Sequence, residues 1–300
     1  MIIVNLKDGL GNQMFQYALG YALAKRNNSI LGCDTRCLEE FKKNPPKNYI
    51  IRDFDLDIFG IKKRKIPFIY LLKCFQFNKR YVIRFNVGLF LDKLNYITII
   101  ERQRSFDYRV FDRIEKTLYL DGYWQSEKYF TQYRDEILKI FNFDSLIKKN
   151  ENIDFLDKTK NEISVCLNVR RTDHLNNIEL DVVHLSYYKN AMSYYRNINE
   201  NKVNFFVFSD DLNWCKKNFY GEENCFFVEH NPYAGYKYYN YLYLMSNFEN
   251  FIIPNSTFAW WGAWLSTKKN KKIVAPKKWS GINKEYQMDT VPDNWVRIDN

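Results

Sequence analysis

The sequence predicts an α/β protein of two parallel-sheet domains, and three observations predict it. Short apolar runs alternate with stretches of helical periodicity near the amino terminus and again throughout the second half. Several of these runs are almost continuously hydrophobic, which is the pattern of parallel strands covered on both faces. The chain has 300 residues, 46% of them hydrophobic and 27% charged. That composition suits a folded protein, and the length exceeds a usual single domain.

In chain order, Met1 to Leu6 reads as a strand. It stops at Lys7-Asp8-Gly9-Leu10-Gly11-Asn12, after which Met14, Phe15, Ala18, Tyr21 and Ala22 recur at helical spacing. Asp53-Phe54-Asp55-Leu56-Asp57 alternates like an exposed strand, although its DxD pattern is also one that can hold a divalent cation. Pro45-Pro46, the cluster 62–65 and Pro67 break any long element in the middle of the first half. The polar stretch 150–160 reads as a linker, which places domains at 1–155 and 156–300. Strands then follow at 164–169, 204–209, 225–228, 251–254 and 272–276, with helices from Tyr187, from Asp211, through Tyr243 and through Trp264.

Composition narrows the function classes. Lys and Arg number 45 against 35 Asp and Glu, a formal charge of +10 that favours anionic partners without choosing among them. The six cysteines form no CxxC pair and the three histidines are scattered, so a zinc site is not expected and the thiols read as reduced core residues. The amino terminus turns polar too early for a signal peptide and no apolar run reaches membrane-spanning length, so a cytoplasmic location is expected. Between Ile61 and Leu91 stand eight basic residues and no acidic one, interleaved with aromatics. This reads as a solvated basic face or as a contact with an anionic membrane; nucleic acid is not expected.

Three loops of the second half are placed to carry chemistry, each where a strand ends, and a fourth follows the first strand. Arg170-Arg171-Thr172-Asp173 follows the strand 164–169, where open α/β sheets bind ligands, and arginine forks suit phosphate oxygens. Asp173 is placed to hold one arginine or to take part in catalysis; a surface ion-pair cluster is the plainer alternative. Ser209-Asp210-Asp211 ends the strand 204–209, with carboxylates suited to a base edge or ribose, though Asp211 reads equally as a helix cap. Asn255-Ser256-Thr257 opens a helix whose free N–H groups and hydroxyls form a phosphate cradle. Trp260, Trp261 and Trp264 on that helix read as core. Gly9, Gly11, Asn12 and Gln13 stand between the first strand and helix, where glycines admit a phosphate and the two amides can bond a ligand. Met14 replaces the third glycine of a dinucleotide fingerprint, and simple turning of the chain remains the alternative.

Taken in order, GLGNQMFQYALGYALA (9–24), LDGYWQSEKYF (120–130), NVRRTD (168–173), FFVFSDD (205–211) and LYLMSNFENFIIPNSTFAWWGAWL (242–265) resemble the motifs of bacterial α-1,2-fucosyltransferases, glycosyltransferase family 11. The resemblance implies a GT-B-like architecture, two Rossmann-type domains facing across a cleft, with 1–155 on the acceptor side and 156–300 binding GDP-fucose. It implies GDP-fucose as donor, no metal or other cofactor, inversion at the anomeric carbon and a galactose-containing glycan acceptor, such as a lipid-linked surface-polysaccharide unit. It puts Arg170 and Arg171 at the diphosphate with Ser256 and Thr257 beside it, Asp210 and Asp211 near guanine or ribose, and 9–13 across the cleft. Asn168 stands where the family has histidine, and Tyr241 near the place of a family acidic residue. Candidates for a general base are Asp173, Glu179 and Asp8.

Overall fold

A computed structural model describes residues 1–45, 50–63, 66, 96–102, 105–113, 117–143, 147, 152–160, 162–175, 177, 180, 183–199, 202–281 and 289–300. Glu179 and most of the basic segment 61–91 lie outside the described residues. The chain forms two compact units, Met1–Ile137 and Leu138–Asn300.

The first unit contains β1 (Ile2–Asn5), α1 (Leu10–Arg26), β2 (Leu31–Asp34), α2 (Arg36–Lys43), β3 (Tyr96–Ile100) and β4 (Thr117–Asp121), and α3 (Arg134–Ile140) begins at its end. The four strands form a parallel sheet in the order β2-β1-β4-β3. Ile2, Ile3 and Val4 are fully buried, as are Met14, Phe15, Ala18, Leu19, Ala22 and Leu23 of α1. The helix lies so close to the sheet that a Cβ on Gly20 would meet Val4 Cγ1 at 2.5 Å. The stretch 53–57 is not a strand: Leu56–Phe59 form a 3-10 turn, with Phe54, Leu56 and Ile58 buried. Their alternation arises because the turn tucks its apolar side chains inward.

The second unit contains α4 (Ile153–Lys158), β5 (Ile163–Val169), α5 (Leu185–Asn197), β6 (Val203–Ser209), α6 (Leu212–Asn218), β7 (Cys225–Phe227), α7 (Tyr239–Ser246), β8 (Asn250–Ile252), α8 (Thr257–Leu265), β9 (Lys272–Pro276) and β10 (Val296–Ile298). Its strands form a parallel sheet in the order β10-β9-β8-β5-β6-β7. All of β6, and all but the first residue of β5, is buried, as expected for strands with helices on both faces. From α5 the Tyr187 hydroxyl donates to Ile253 O at 2.6 Å and the Tyr195 hydroxyl to Lys272 O at 2.6 Å, so a buried helix also satisfies carbonyls at the sheet. Trp260, Trp261 and Trp264 are core, as read from the sequence.

The division between units falls at Ile137/Leu138 and not at 155/156. Residues 152–158, read as linker, belong to the second unit. Phe155 packs against Phe206, Phe208 and Tyr233, and Asn152 donates to Asn240 Oδ1 at 2.8 Å. One phenylalanine at the right place outweighs the polar residues around it.

Candidate functional site

In the second sheet the chain leaves β5 toward β6 on one side and leaves β8 toward β9 on the other. Adjacent strands whose connections diverge open a crevice at their carboxyl ends, where α/β sheets bind ligands. The loop carrying Arg170 and Arg171 follows β5, and the loop carrying Asn255, Ser256 and Thr257 follows β8. Two of the three loops picked out from the sequence therefore flank one crevice, and the third, after β6, borders it.

Arg170 is held by carboxylates. Its Nε and Nη2 donate to the two oxygens of Asp173 at 2.7 and 2.6 Å, and Nη1 lies 3.3 Å from Asp210 Oδ2. Burial opposes the charge, but the Asp173 fork and the charges of Asp210 and Asp173 outweigh it and hold the guanidinium above its ordinary pKa. Arg171 is freer. Its guanidinium carbon sits 4.0 Å from the centroid of the Trp214 ring, and among the described residues only Nε is drawn to a carboxylate, Asp211 Oδ2 at 3.4 Å. The stack fixes the plane of Arg171 and leaves both terminal nitrogens to offer a bidentate fork. Two cations here meet three carboxylates, so the arginines bring directed donors more than net charge.

Asp210 and Asp211, expected near guanine or ribose, are each held by groups of the protein itself. Asp210 accepts from the backbone N–H of Arg171 and of Thr172, each at 3.0 Å, and from the Thr172 hydroxyl. Its oxygens are thus committed to shaping the arginine loop. Asp211 caps α6, accepting from Trp214 N at 3.0 Å, which is the capping alternative. Ser209 serves the same turn, its hydroxyl accepting from Asp211 N at 2.9 Å. Sequence reasoning missed His230, whose Nε2 donates to Ser209 O at 2.7 Å, and Trp214 beneath Arg171. Both were findable in principle: His230 lies just past the end of β7, and Trp214 one helical turn beyond the Asp211 cap.

Across the crevice Ser256 caps α8 through Ala259 N, leaving the hydroxyl-bearing Thr257 as the first helical residue. Asn255 is a buried strut, its amide donating to Leu180 O and Trp279 O at 3.0 Å each. Asn168 is buried on β5, with Nδ2 3.9 Å from Met245 Sδ, a weak contact with α7. Cys215, just below the site, has its thiol pushed up to about 12 chiefly by burial, which marks it as inert.

In the first unit the 9–13 loop is built differently from its sequence reading. Gly9 is extended, at φ −78°, and the left-handed residue is Asp8, at φ 61°. Gln13 is buried and fully engaged: Nε2 donates to Asp8 O and Asp53 O at 2.8 and 2.7 Å, and Oε1 accepts from Asp55 N at 2.9 Å. It clasps the 53–55 segment instead of presenting an amide to a ligand. Asn12 accepts from Gln125 at 2.8 Å, and Gly11 is buried within the first turn of α1. Among the described residues no three His, Cys, Asp or Glu side chains gather as a metal site, and no helix is long and apolar enough to cross a membrane.

The family model of glycosyl transferase family 11 matches residues 89–299. The chain is 30% identical to an α-1,2-colitosyltransferase of Escherichia coli, an alignment covering 100% of this chain and 99% of that one. It is 26% identical to the O-antigen biosynthesis glycosyltransferase WbnK of Escherichia coli, over 98% of this chain and 99% of the other. Among solved structures it is similar to the fucosyltransferase NodZ from Bradyrhizobium, at 15% identity and a TM-score of 0.44, covering 87% of this chain and 91% of NodZ.

Proposed function

The chain belongs to glycosyltransferase family 11, and from that premise we propose that it transfers L-fucose from GDP-fucose, with inversion, to a hydroxyl of a galactose-containing glycan. The observation that carries this reading is the β5/β8 crevice, flanked by the Arg170-Arg171 loop and by the amino end of α8. In such a transfer the acceptor oxygen bonds the anomeric carbon from one face. The bond to the β-phosphate oxygen breaks on the other, its electron pair leaves with GDP, and the hydroxyl proton passes to a base. The protein must stabilise charge growing on GDP. Arg171 supplies a stacked, open fork and α8 supplies free N–H groups at its positive end. Asp173 and Asp210 position Arg170, so neither needs to act as the base. These donors are suited to the leaving group without a metal or other cofactor.

The acceptor in this proposal is a surface-polysaccharide unit, on the strength of the WbnK relative, whose name places it in O-antigen biosynthesis. The basic segment 61–91 would bring the enzyme to an anionic membrane surface holding a lipid-linked acceptor. The colitosyltransferase relative favours a second donor, GDP-colitose, whose sugar is the 3-deoxy analogue of fucose. Purified protein is incubated with each GDP-sugar and a panel of galactosides, and GDP release is measured with and without acceptor. Acceptor-dependent release from GDP-fucose supports the first reading, release only from GDP-colitose supports the second, and release from neither overturns both.

A further inference from the structure

We infer that His230 is a positioning residue for donor binding: its imidazole fixes the peptide that leads into Asp210, and Asp210 in turn holds the arginine loop at the β5/β8 crevice. The inference rests on the transferase reading and assigns work to the stretch 228–241, which that reading leaves unused. It starts from a carbonyl that the sheet does not satisfy. β6 and β7 pair in register as far as Val207 and Phe227, and Val228 N donates to Val207 O at 2.9 Å. Alternate carbonyls of β6 face β7, so the next after Val207 O is Ser209 O, and a continued ladder would bring the N–H of His230 to it. The strand β7 ends at Phe227 instead, and the chain turns at His230–Tyr233. Ser209 is only 3% exposed, so its carbonyl needs another partner.

That partner is the side chain of the same residue. His230 Nε2 lies 2.7 Å from Ser209 O, and a carbonyl can only accept, so Nε2 carries the proton and donates. The imidazole replaces the backbone N–H and lets the chain leave the sheet with the carbonyl still paired. The ring is set by two tyrosines that meet it edge-on, Tyr238 and Tyr241, with centroids 5.9 and 5.8 Å away. Tyr241 is buried, meets Phe208 edge-on at 5.2 Å and donates from its hydroxyl to Val228 O. It thereby ties the end of β6 to the chain leaving β7 and holds the imidazole between them.

The effect reaches the donor site through one peptide. The bond to Ser209 O restrains the plane of the Ser209–Asp210 peptide, and with it the direction in which the Asp210 side chain leaves the backbone. That carboxylate accepts from Arg171 N and Thr172 N at 3.0 Å each and from the Thr172 hydroxyl, and it lies 3.3 Å from Arg170 Nη1. The arginine loop thus takes its shape from one carboxylate, set by His230 before it and by the Asp211 N bond to the Ser209 hydroxyl after it. Without the imidazole the peptide is less restrained, and only part of the population keeps the loop in its binding arrangement. Donor affinity then falls by that fraction, although no group that touches the donor has been removed.

The experiment measures Tm, GDP affinity and acceptor KM for wild type, His230→Phe, His230→Gln, Asp210→Asn and the double variant of His230→Phe with Asp210→Asn. Phenylalanine keeps the ring contacts and removes the donor. GDP affinity should fall about fivefold or more, with acceptor KM within twofold of wild type and Tm lower by less than about 4 °C. Glutamine, whose amide nitrogen reaches about as far as Nε2, should keep GDP affinity within twofold of wild type. Because His230 acts through Asp210, the double variant should bind GDP no more weakly than Asp210→Asn alone. A histidine that only supports the fold would lower Tm and leave the GDP affinity of the folded protein unchanged, and that result overturns the inference. Equal losses in His230→Phe and His230→Gln, or losses that multiply in the double variant, overturn it as well. Should His230→Phe fail to fold, His230→Asn, whose amide is too short to reach Ser209 O, is read in its place. A wild type that binds no GDP instead overturns the transferase reading itself.

Discussion

At the β5/β8 crevice an arginine fork closes on Asp173 while a second arginine, stacked on Trp214, has terminal nitrogens that pair with no carboxylate among the described residues. At the carboxyl ends of β1, β2 and β4 the arginine fork, Arg36 on Asp34, is closed, and Asp121 accepts from Lys7 and Asn5 through one oxygen. Both sheets are parallel, but the connections that leave the adjacent strands β5 and β8 diverge, whereas those leaving β1 and β3 run the same way along the first sheet. The group that each closed fork leaves beside it differs as well: a donor in one unit, an acceptor in the other.

The comparison breaks most severely if Arg170 is removed. Arg170→Ala leaves Asp173 and Asp210 facing each other without their shared cation, in a site where their side chains are only 24% and 13% exposed. Loss of one partner from such a network costs about 3–5 kcal/mol. Thermal unfolding should show a large fall in Tm, and titration should show no GDP binding. A variant with wild-type stability would mean that the fork does not hold the crevice.

The equivalent cut in the first unit should be milder, because Arg36 is 32% exposed and the Tyr119 hydroxyl still donates to Asp34 at 2.7 Å. Arg36→Ala should cost about 2 kcal/mol, below the usual value for a fully buried pair. It also carries a pH signature. Burial works against the Asp34 charge, but the Arg36 and Tyr119 bonds prevail and hold its carboxyl below the ordinary aspartate range. A depressed carboxyl contributes its full stability above the unfolded value and loses it as pH falls through the lower folded value. Wild type should therefore survive to a lower pH than Arg36→Ala, with the gap between them closing below about pH 4. Acid unfolding curves that coincide would remove Asp34 from this role.

How far these sites were readable follows from which partners are local. The strand-end rule located 170–173, 209–211 and 255–257, and buried strands such as β5 and β6 stand out as unbroken apolar runs. Strands β2, β3, β4 and β10 did not stand out, since three to five residues such as LGCD or VRI make too short a pattern. Partners distant in sequence were invisible: Asp210 holds a loop 38 residues away, and the clasp of Gln13 lies some 40 residues on. That is why Asp210 read as a nucleotide contact and Gln13 as a ligand amide.

Arg171→Lys sharpens the comparison without dismantling the β5/β8 crevice. Arg171 is tied by one contact of 3.4 Å and a ring stack, so lysine should leave stability nearly unchanged. A lysine is a point charge and cannot reproduce a bidentate fork. GDP affinity should fall at least tenfold, about 1.4 kcal/mol. If Arg171→Lys binds GDP as wild type does, the Arg171 fork is not the phosphate contact and the difference between the two units loses its functional meaning.

The smallest expected effect is that of a chelator. Were the donor crevice short of positive potential, a divalent cation would have to supply it, and the Asp53, Asp55 and Asp57 pattern would be the place to look. In the structure Asp53 accepts from its neighbour's N–H at 3.0 Å and pairs with Lys42 at 3.1 Å, while the 53–55 backbone is clasped by Gln13. The segment is thus bound into the scaffold of the first unit, with a lysine already at its leading carboxylate. Arg171 and the amino end of α8 meet the diphosphate's need for donors through directed N–H groups, which EDTA does not touch. Transfer in excess EDTA should stay within twofold of the rate in buffer, measured as acceptor-dependent GDP release. Loss of that activity, with recovery only on adding Mn²⁺ or Mg²⁺, would return the three aspartates to consideration as ligands and show that the donors at the β5/β8 crevice are not sufficient by themselves.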